Sequence, residues 1–350
     1  MTVGYTTMMS PESMELPYLE ALASWAQVCD KIAICYSRFP KLDIPIPEGA
    51  VCPWDYDGSL EILQKFDEEV LGGKLVLVEH EWDIENPRED GLTKQMARSL
   101  ALAQFETLDG KGWTIQFDAD EILRDQDVFR VIEFVDEQEK EATQMYATMG
   151  VIEMFGGTDH VRFGFGSWIK VRMMRNTKDF SHDLVLWARD RNPRTGKIIA
   201  KDNQDDGAGV VWIHSLNRPD YNRGRFLFNP QVIMTGNTFA NEQKIPPFQV
   251  ENLLTDSMNN GCWVFHTAWV DIARKWRMGW FWDNMWSMLN GQQDTFIEKA
   301  EESGTFTATR EPENLEEELK IEMARPGILK IENNEYPSVF ETVKEWRKTK

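Results

Sequence analysis

With 38 Lys and Arg against 58 Asp and Glu, the 350-residue chain carries a formal net charge of −20, which opposes non-specific attraction to nucleic acid and to anionic membrane surfaces. Its four cysteines, Cys29, Cys35, Cys52 and Cys262, show no Cys-x-x-Cys spacing and no paired histidine, so they indicate neither a zinc site nor a disulfide framework and suit a reducing compartment. No run of about 18 apolar residues exists, and Met1–Ser10 lacks a basic start followed by an apolar stretch; the expectation is a cytoplasmic protein without integral membrane association, built as one large domain or two.

The first half alternates strand-like and helix-like segments, the pattern of a mostly parallel α/β sheet with helices on its faces. Val3 to Met9 opens as a strand. Ser10-Pro11-Glu12 then starts a helix in which Leu16, Leu19, Ala23 and Ala26 recur at helical spacing up to Cys29. Lys31 to Tyr36 reads as the second strand, and a long Pro-rich loop, Ser37 to Tyr56, follows it. Asp57-Gly58-Ser59 leads into an amphipathic helix through Leu60, Leu63, Phe66 and Val70, closed by Gly72-Gly73. Lys74 to Val78 is the third strand, Leu92 to Leu108 the third helix, and Trp113 to Phe117 the fourth strand.

That fourth strand ends abruptly in Asp118-Ala119-Asp120-Glu121, three carboxylates within four residues. Such groups repel one another unless positive charge lies between them. Side chains two apart on extended backbone share a side, so Asp118 and Asp120 can share one cation while Ala119 faces the core. Mn²⁺ or Mg²⁺ would suit oxygen ligands and bridge to a diphosphate. Open α/β sheets bind ligands at strand carboxyl ends, so this is a candidate nucleotide-diphosphate site; a solvated acidic loop capping the next helix is the plain alternative.

The second half is less regular. Asp127 to Lys140 reads as a helix, Thr143 to Met154 as a strand, and 190–210 as a polar insertion. His160 to Lys201 holds ten Lys and Arg against Asp179, Asp183 and Asp190, a local sum of 10 − 3 = +7 that would attract an anion. Trp263, Trp269, Trp276, Trp280, Trp282 and Trp286 account for six of the fourteen tryptophans, with Trp276/Trp280 and Trp282/Trp286 at helical spacing. An acidic helix at Glu313 to Ala324 and a last helix at Ser338 to Lys348 close the chain.

Taken together, these segments resemble the family 2-like glycosyltransferases of the GT-A fold. That family reads Asp-Ala-Asp-Glu after a hydrophobic strand, as Asp118-Ala119-Asp120-Glu121 does here. One branch follows with a Gly-rich aromatic stretch and an Arg-containing strand, similar to Gly156-Gly157 through Trp168-Ile169-Lys170-Val171-Arg172-Met173-Met174-Arg175-Asn176. The branch's His-Tyr-Gly-Trp-Val element is matched by His266-Thr267-Ala268-Trp269-Val270, and its terminal His-Pro by Tyr336-Pro337. The chain departs from the family where Met9-Ser10-Pro11-Glu12 replaces an Arg-Asn-Glu, and where Asp-Gly-Ser comes only at Asp57-Gly58-Ser59, after the long loop.

The resemblance implies a Rossmann-like GT-A sheet with a nucleotide-sugar-binding half at 1–125, an acceptor-binding half at 126–300 and a helical extension at 301–350. It implies transfer of a sugar from a nucleotide-diphosphate sugar to a hydroxyl of a glycan or similar acceptor, with inversion. Asp118 and Asp120 would hold Mn²⁺ or Mg²⁺ against the departing diphosphate, and His266 would complete the coordination. An inverting reaction needs a carboxylate base, for which Asp183 comes first and Asp159 second. Arg172 or Arg175, Lys94 and Arg98 would add positive charge near the diphosphate, and Asp55 and Asp57 would hold base or ribose. Trp269 or Trp263, near His266, would offer a stacking platform, although core packing is the commoner use of tryptophan. Two alternatives stay open: a transferase acting on a hydroxylated base in DNA, which the charge opposes, and a catalytically inactive glycan- or nucleotide-binding protein. A sugar-1-phosphate nucleotidyltransferase would open on a Gly-rich phosphate loop, yet Met1 to Glu15 has only Gly4. A dehalogenase-like phosphatase would carry its Asp-x-Asp on the first strand.

Overall fold

The structure is a computed structural model that describes residues 1–9, 17–38, 58–81, 112–141, 146–162, 168–175, 224–228, 247–272, 275, 314–324, 328–330 and 337–349. Four strands, β1 (Thr2–Met9), β2 (Lys31–Arg38), β3 (Leu75–Glu81) and β4 (Trp113–Gln116), lie parallel in the order β3-β2-β1-β4. Leu75 to Val78 on β3 are only half-buried, whereas Val3, Tyr5, Ile32, Ile34, Trp113 and Ile115 are all buried, so both faces of β1, β2 and β4 are covered. That is why Ile32-Ala33-Ile34-Cys35 shows an unbroken apolar run instead of alternation. The chain order reverses between β1 and β4, and such a switch point opens a crevice at the strand carboxyl ends.

Helices α1 (Tyr18–Trp25) and α2 (Ser59–Phe66) connect these strands. Every residue of α1 is buried, which explains its short, nearly all-round apolar sequence. Beyond α2 the chain makes a π-helical turn, Asp67–Leu71, and reverses at Gly72 with φ 75°, a left-handed conformation natural to glycine. Asp67 Oδ1 accepts from the N–H groups of Lys74 and Leu75 at 2.8 and 3.0 Å, tying that turn to β3. The expected helices starting at Ser10 and spanning Leu92 to Leu108 fall, for residues 10–16 and for the whole third helix, outside the described residues.

The remaining elements are β5 (Glu121–Leu123), α3 (Asp125–Glu141), β6 (Tyr146–Phe155), β7 (His160–Arg162), β8 (Trp168–Arg175), β9 (Gly224–Phe226), α4 (Pro247–Asn260), β10 (Trp263–Trp269), α5 (Leu315–Met323), β11 (Ile328–Lys330) and α6 (Val339–Lys348). They extend the same sheet. β8 runs antiparallel to both β4 and β6, and β6 is the hub, pairing along one edge with β8 and then β7, and along the other with β9 and then β10. β10 also pairs antiparallel with β5. The architecture is thus mixed α/β with a parallel first half, as expected, while the segment read as less regular continues the sheet with mostly antiparallel strands. Helix α6 packs on the first half: Trp346 meets Phe66 edge-on at 5.0 Å, its Nε1 donates to Glu69 Oε2 at 2.7 Å, and Arg347 Nη1 lies 3.0 Å from Glu20 Oε1. Among the described residues no helix is long and apolar enough to cross a membrane.

Gly150 is a glycine required by close approach. A Cβ at Gly150 on β6 would stand 2.7 Å from the Trp263 ring and 3.0 Å from Phe228. Gly150→Ala is therefore expected to destabilise the fold by about 1–3 kcal/mol, the range for overpacking. A urea titration checks this, and an unchanged midpoint would mean that Trp263 can move aside.

Candidate functional site

The turn from β4 to β5 carries Asp118-Ala119-Asp120 at the switch point. The Asp118 carbonyl accepts from the Glu121 N–H at 3.1 Å, which closes the turn, and Ala119 is buried as its position predicts. Helix α1 supports it from below. Trp25 stacks on Phe117 with centroids 5.2 Å apart and donates Nε1–H to the Glu121 carbonyl at 2.8 Å, while the Leu123 N–H reaches Ser24 Oγ at 3.1 Å.

The two aspartates are held from different sides. Asp118, whose side chain is 38% exposed, accepts at Oδ1 from Gln116 Nε2 at 2.8 Å, and its N–H donates to Glu121 Oε2 at 2.8 Å. Asp120, 15% exposed, faces β10. Thr267 donates to the Asp120 carbonyl through both its N–H at 2.8 Å and its hydroxyl at 2.7 Å, and His266 Nε2 lies 3.2 Å from Asp120 Oδ2. From there a chain of alternating charge continues along the sheet. His266 Nδ1 is 3.4 Å from Glu153 Oε1, and Arg162 Nε donates to Glu153 Oε2 at 2.6 Å. The Arg162 guanidinium sits over Phe155 at 4.8 Å and Trp269 at 5.0 Å, and Lys275 Nζ stands 5.4 Å from the Trp269 centroid. Alternation of sign is what allows ionised groups to stay this deep.

These neighbours shift both titrating partners. Burial disfavours the His266 imidazolium, but Asp120 and Glu153 outweigh it and push the group up to about 10. Burial raises the Asp120 carboxyl, yet the His266 charge and hydrogen bond outweigh that and hold it below the ordinary carboxylate value, with Asp118 raising and Lys275 lowering it further. Tyr5, buried next to this turn, is pushed well up by burial, with Arg172 opposing and Asp118 adding to the rise. A histidine raised in the folded state stabilises fully below its unfolded value of 6.5, and that contribution is lost as pH rises through about 10. The melting-temperature gap between wild type and His266→Gln should hence be widest near about pH 6 and narrow by about pH 10.5. A gap that does not change with pH would show that the imidazole is neutral in the fold.

The expected site residues are placed as follows. Asp120 and His266 come together between the β4–β5 turn and β10, and Asp118 lies on the same turn as Asp120. Arg172 does not front the turn: its side chain is fully buried behind it, ion-paired with Glu121 and donating to Gln116 Oε1. The Trp269 ring is engaged by Arg162 and Lys275, whereas Trp263 is buried and donates Nε1–H to the Ser257 carbonyl at 3.1 Å. Asp159 lies in the turn after β6, where the hydrogen bond from His160 Nδ1 at 2.8 Å holds its carboxyl below the usual value, burial opposing and Lys330 assisting. Asp55, Asp57, Lys94, Arg98, Asp183 and the 190–210 segment lie outside the described residues, as do Trp276 to Trp286, and the Arg175 side chain is also undescribed.

Sequence reasoning missed Gln116, Glu153 and Arg162. Glu153 carried a usable signal: one carboxylate inside the buried run Val151-Ile152-Glu153-Met154-Phe155 requires a charged partner. Gln116 offered none beyond being a polar residue in an apolar strand.

The donor types suit a hard divalent cation, with two carboxylates on one turn and an imidazole opposite. As they stand, the side chains are tied to protein partners, and among the described residues no three His, Cys, Asp or Glu groups converge as a ligand set. The fit is in kind for Asp118 and Asp120, which can offer oxygens without leaving the turn. His266 would have to leave Asp120 and shed its proton.

No protein-family model matches this sequence, and no curated protein does. Among solved structures, S. aureus TarS 1–349 in complex with UDP is 13% identical with a TM-score of 0.25, over 45% of this chain and 36% of that one. The same protein in complex with UDP-GlcNAc is 12% identical with a TM-score of 0.24, over 45% and 35%. A further structure of TarS 1–349 is 11% identical with a TM-score of 0.31, over 87% of this chain and 92% of that one. The first two likenesses thus span about a third of the TarS chains they match. None is close enough to assign a residue.

Proposed function

We propose that the chain is a glycosyltransferase of the GT-A type that moves a sugar from a nucleotide-diphosphate sugar to a hydroxyl of a glycan or similar acceptor, with inversion. One observation carries this reading: two aspartates on a single turn at the carboxyl end of β4, at the sheet's switch point, one of them locked to a histidine on β10. Negative charge grows on the departing diphosphate as the glycosidic bond breaks, and a divalent cation bound by Asp118 and Asp120 would neutralise it. Asp120 is kept ionised by His266, and Asp118 is aimed outward by Gln116 and Glu121. Asp183 or Asp159 would take the acceptor proton; the bond from His160 makes Asp159 a weaker base than an unpartnered aspartate. Trp269, whose ring meets Phe155 and two cationic side chains, would offer a platform at the His266 end of the site. The halves 1–125 and 126–300 would supply donor and acceptor contacts, respectively, around the shared sheet.

Calorimetric titration with UDP, GDP, TDP and CDP, each with and without Mn²⁺, tests the reading. We expect one nucleotide to bind, and to need the cation. Folded protein that binds none of the four sinks it and leaves a binding role for another ligand.

A further inference from the structure

We propose that Arg172 is a positioning residue that directs the Asp118 carboxylate from behind, through Gln116 and Glu121. The four side chains and the Asp118 backbone form a closed hydrogen-bonded ring. Arg172 Nη1 donates to Gln116 Oε1, and Gln116 Nε2 donates to Asp118 Oδ1 at 2.8 Å. On the other arm Arg172 Nη2 donates to Glu121 Oε1, and Glu121 Oε2 accepts the Asp118 N–H at 2.8 Å. Arg172 and Glu121 are fully buried and Gln116 is 3% exposed, while the Asp118 side chain, at the apex, is 38% exposed. Asp118 is therefore the member of the ring that faces outward.

The ring converts a buried charge into a direction. A guanidinium presents its donors in a planar fork, so one arginine can seize an amide oxygen and a carboxylate at the same time. Because Arg172 takes the oxygen of the Gln116 amide, the amide nitrogen is turned to Asp118, and only that orientation donates to a carboxylate. The Arg172 charge, 4.0 Å from Asp118 Oδ2, also offsets the mutual repulsion of Asp118, Asp120 and Glu121 without occupying the outer side of the turn. Sequence reading offered Arg172 or Arg175 as positive charge near a diphosphate; the burial of Arg172 behind the turn points to the rear of the same site. This inference rests on Asp118 being a cation-holding carboxylate.

The test uses the full chain labelled with ¹⁵N-glutamine, the Gln116 signal being identified by its loss in Gln116→Met. In wild type the Gln116 side-chain amide should exchange slowly with solvent. In Arg172→Lys, which keeps the charge and loses the fork, that protection should vanish. Mn²⁺ affinity of the folded protein, read from free Mn²⁺ by electron paramagnetic resonance, should fall about tenfold in both variants, the lower end for loss of an outer partner of a ligand. A merely structural role would lower the melting temperature while leaving the Mn²⁺ affinity of folded protein intact, and that result overturns the proposal. A wild-type Gln116 amide that exchanges as freely as a solvated one also overturns it. Wild type that protects the amide, loses protection in Arg172→Lys, and yet takes neither Mn²⁺ nor UDP keeps the ring but overturns the transferase reading and, with it, the role given to Arg172.

Discussion

Asp120→Ala is expected to abolish cation-dependent nucleotide binding and to slow sugar transfer by about 10³-fold, the scale of losing one preorganised electrostatic element of a polar transition state. The substitution does two things at once. It removes one of the two aspartate carboxylates on the turn, and it leaves the His266 imidazole facing Glu153 without the carboxylate whose charge contributes most to holding its proton. The carbonyl of residue 120 keeps both of its bonds from Thr267, so the turn itself should survive. Near-unchanged far-ultraviolet dichroism with no heat on adding UDP and Mn²⁺ is the expected result. A folded Asp120→Ala protein that binds UDP and Mn²⁺ as tightly as wild type would remove Asp120 from the site.

The largest effect on stability should come from Asp127→Ala, at about 3–5 kcal/mol, the cost of stranding one half of a buried ion pair. Arg124 and Asp127 are 1% and 0% exposed, with Nε and Oδ2 2.6 Å apart. Arg124 Nη2 also donates to the carbonyls of Met258 at 2.7 Å and Gly261 at 3.1 Å, and Arg130 Nη1 donates to Asp127 Oδ1 at 2.5 Å and Gly261 at 2.8 Å. Two arginines thereby satisfy the carboxyl-terminal carbonyls of α4, where helix ends leave acceptors unmade and the dipole favours cations. Asp127 keeps both arginines in place and accepts the Trp263 N–H at 2.9 Å, which sets the start of β10 and so the approach of His266 to Asp120. The comparison is Glu137→Ala, whose partner Arg225 is 2.8 Å away but whose pair is 43–45% exposed; it should cost under about 1 kcal/mol. Denaturant titrations of the two variants decide the matter, and equal losses would refute the assignment of the clamp.

The legible parts of this chain were those with local causes. Strand β2 was readable because burial on both faces forces an unbroken apolar run, the half-buried β3 showed the apolar run Leu75-Val76-Leu77-Val78, and Trp113-Thr114-Ile115 leading into Asp118 marked β4 and the acidic turn after it together. Helices α3, α5 and α6 were found within a few residues because their apolar positions keep helical spacing. The segment from Trp263 to Trp269 was noticed for its tryptophans and for its likeness to a family element, yet its nature as a strand that pairs with both β5 and β6 was not. Periodicity alone does not distinguish a buried strand from a buried helix over so short and largely apolar a run.

Sequence alone determined where the acidic turn lies, that it ends a strand, and that positive charge must compensate it, because carboxylate repulsion and strand geometry act over a few neighbouring residues. Only the tertiary structure decided which charges do so. Arg172 arrives from β8, 51 residues beyond Glu121, and takes the buried side of the turn. Glu153 reaches His266 because β6 is the strand next to β10, and Arg162 reaches Glu153 because β7 pairs with β6. Those partners are chosen by strand order and register, which depend on the packing of the whole sheet and leave no mark in the spacing of the residues they bring together.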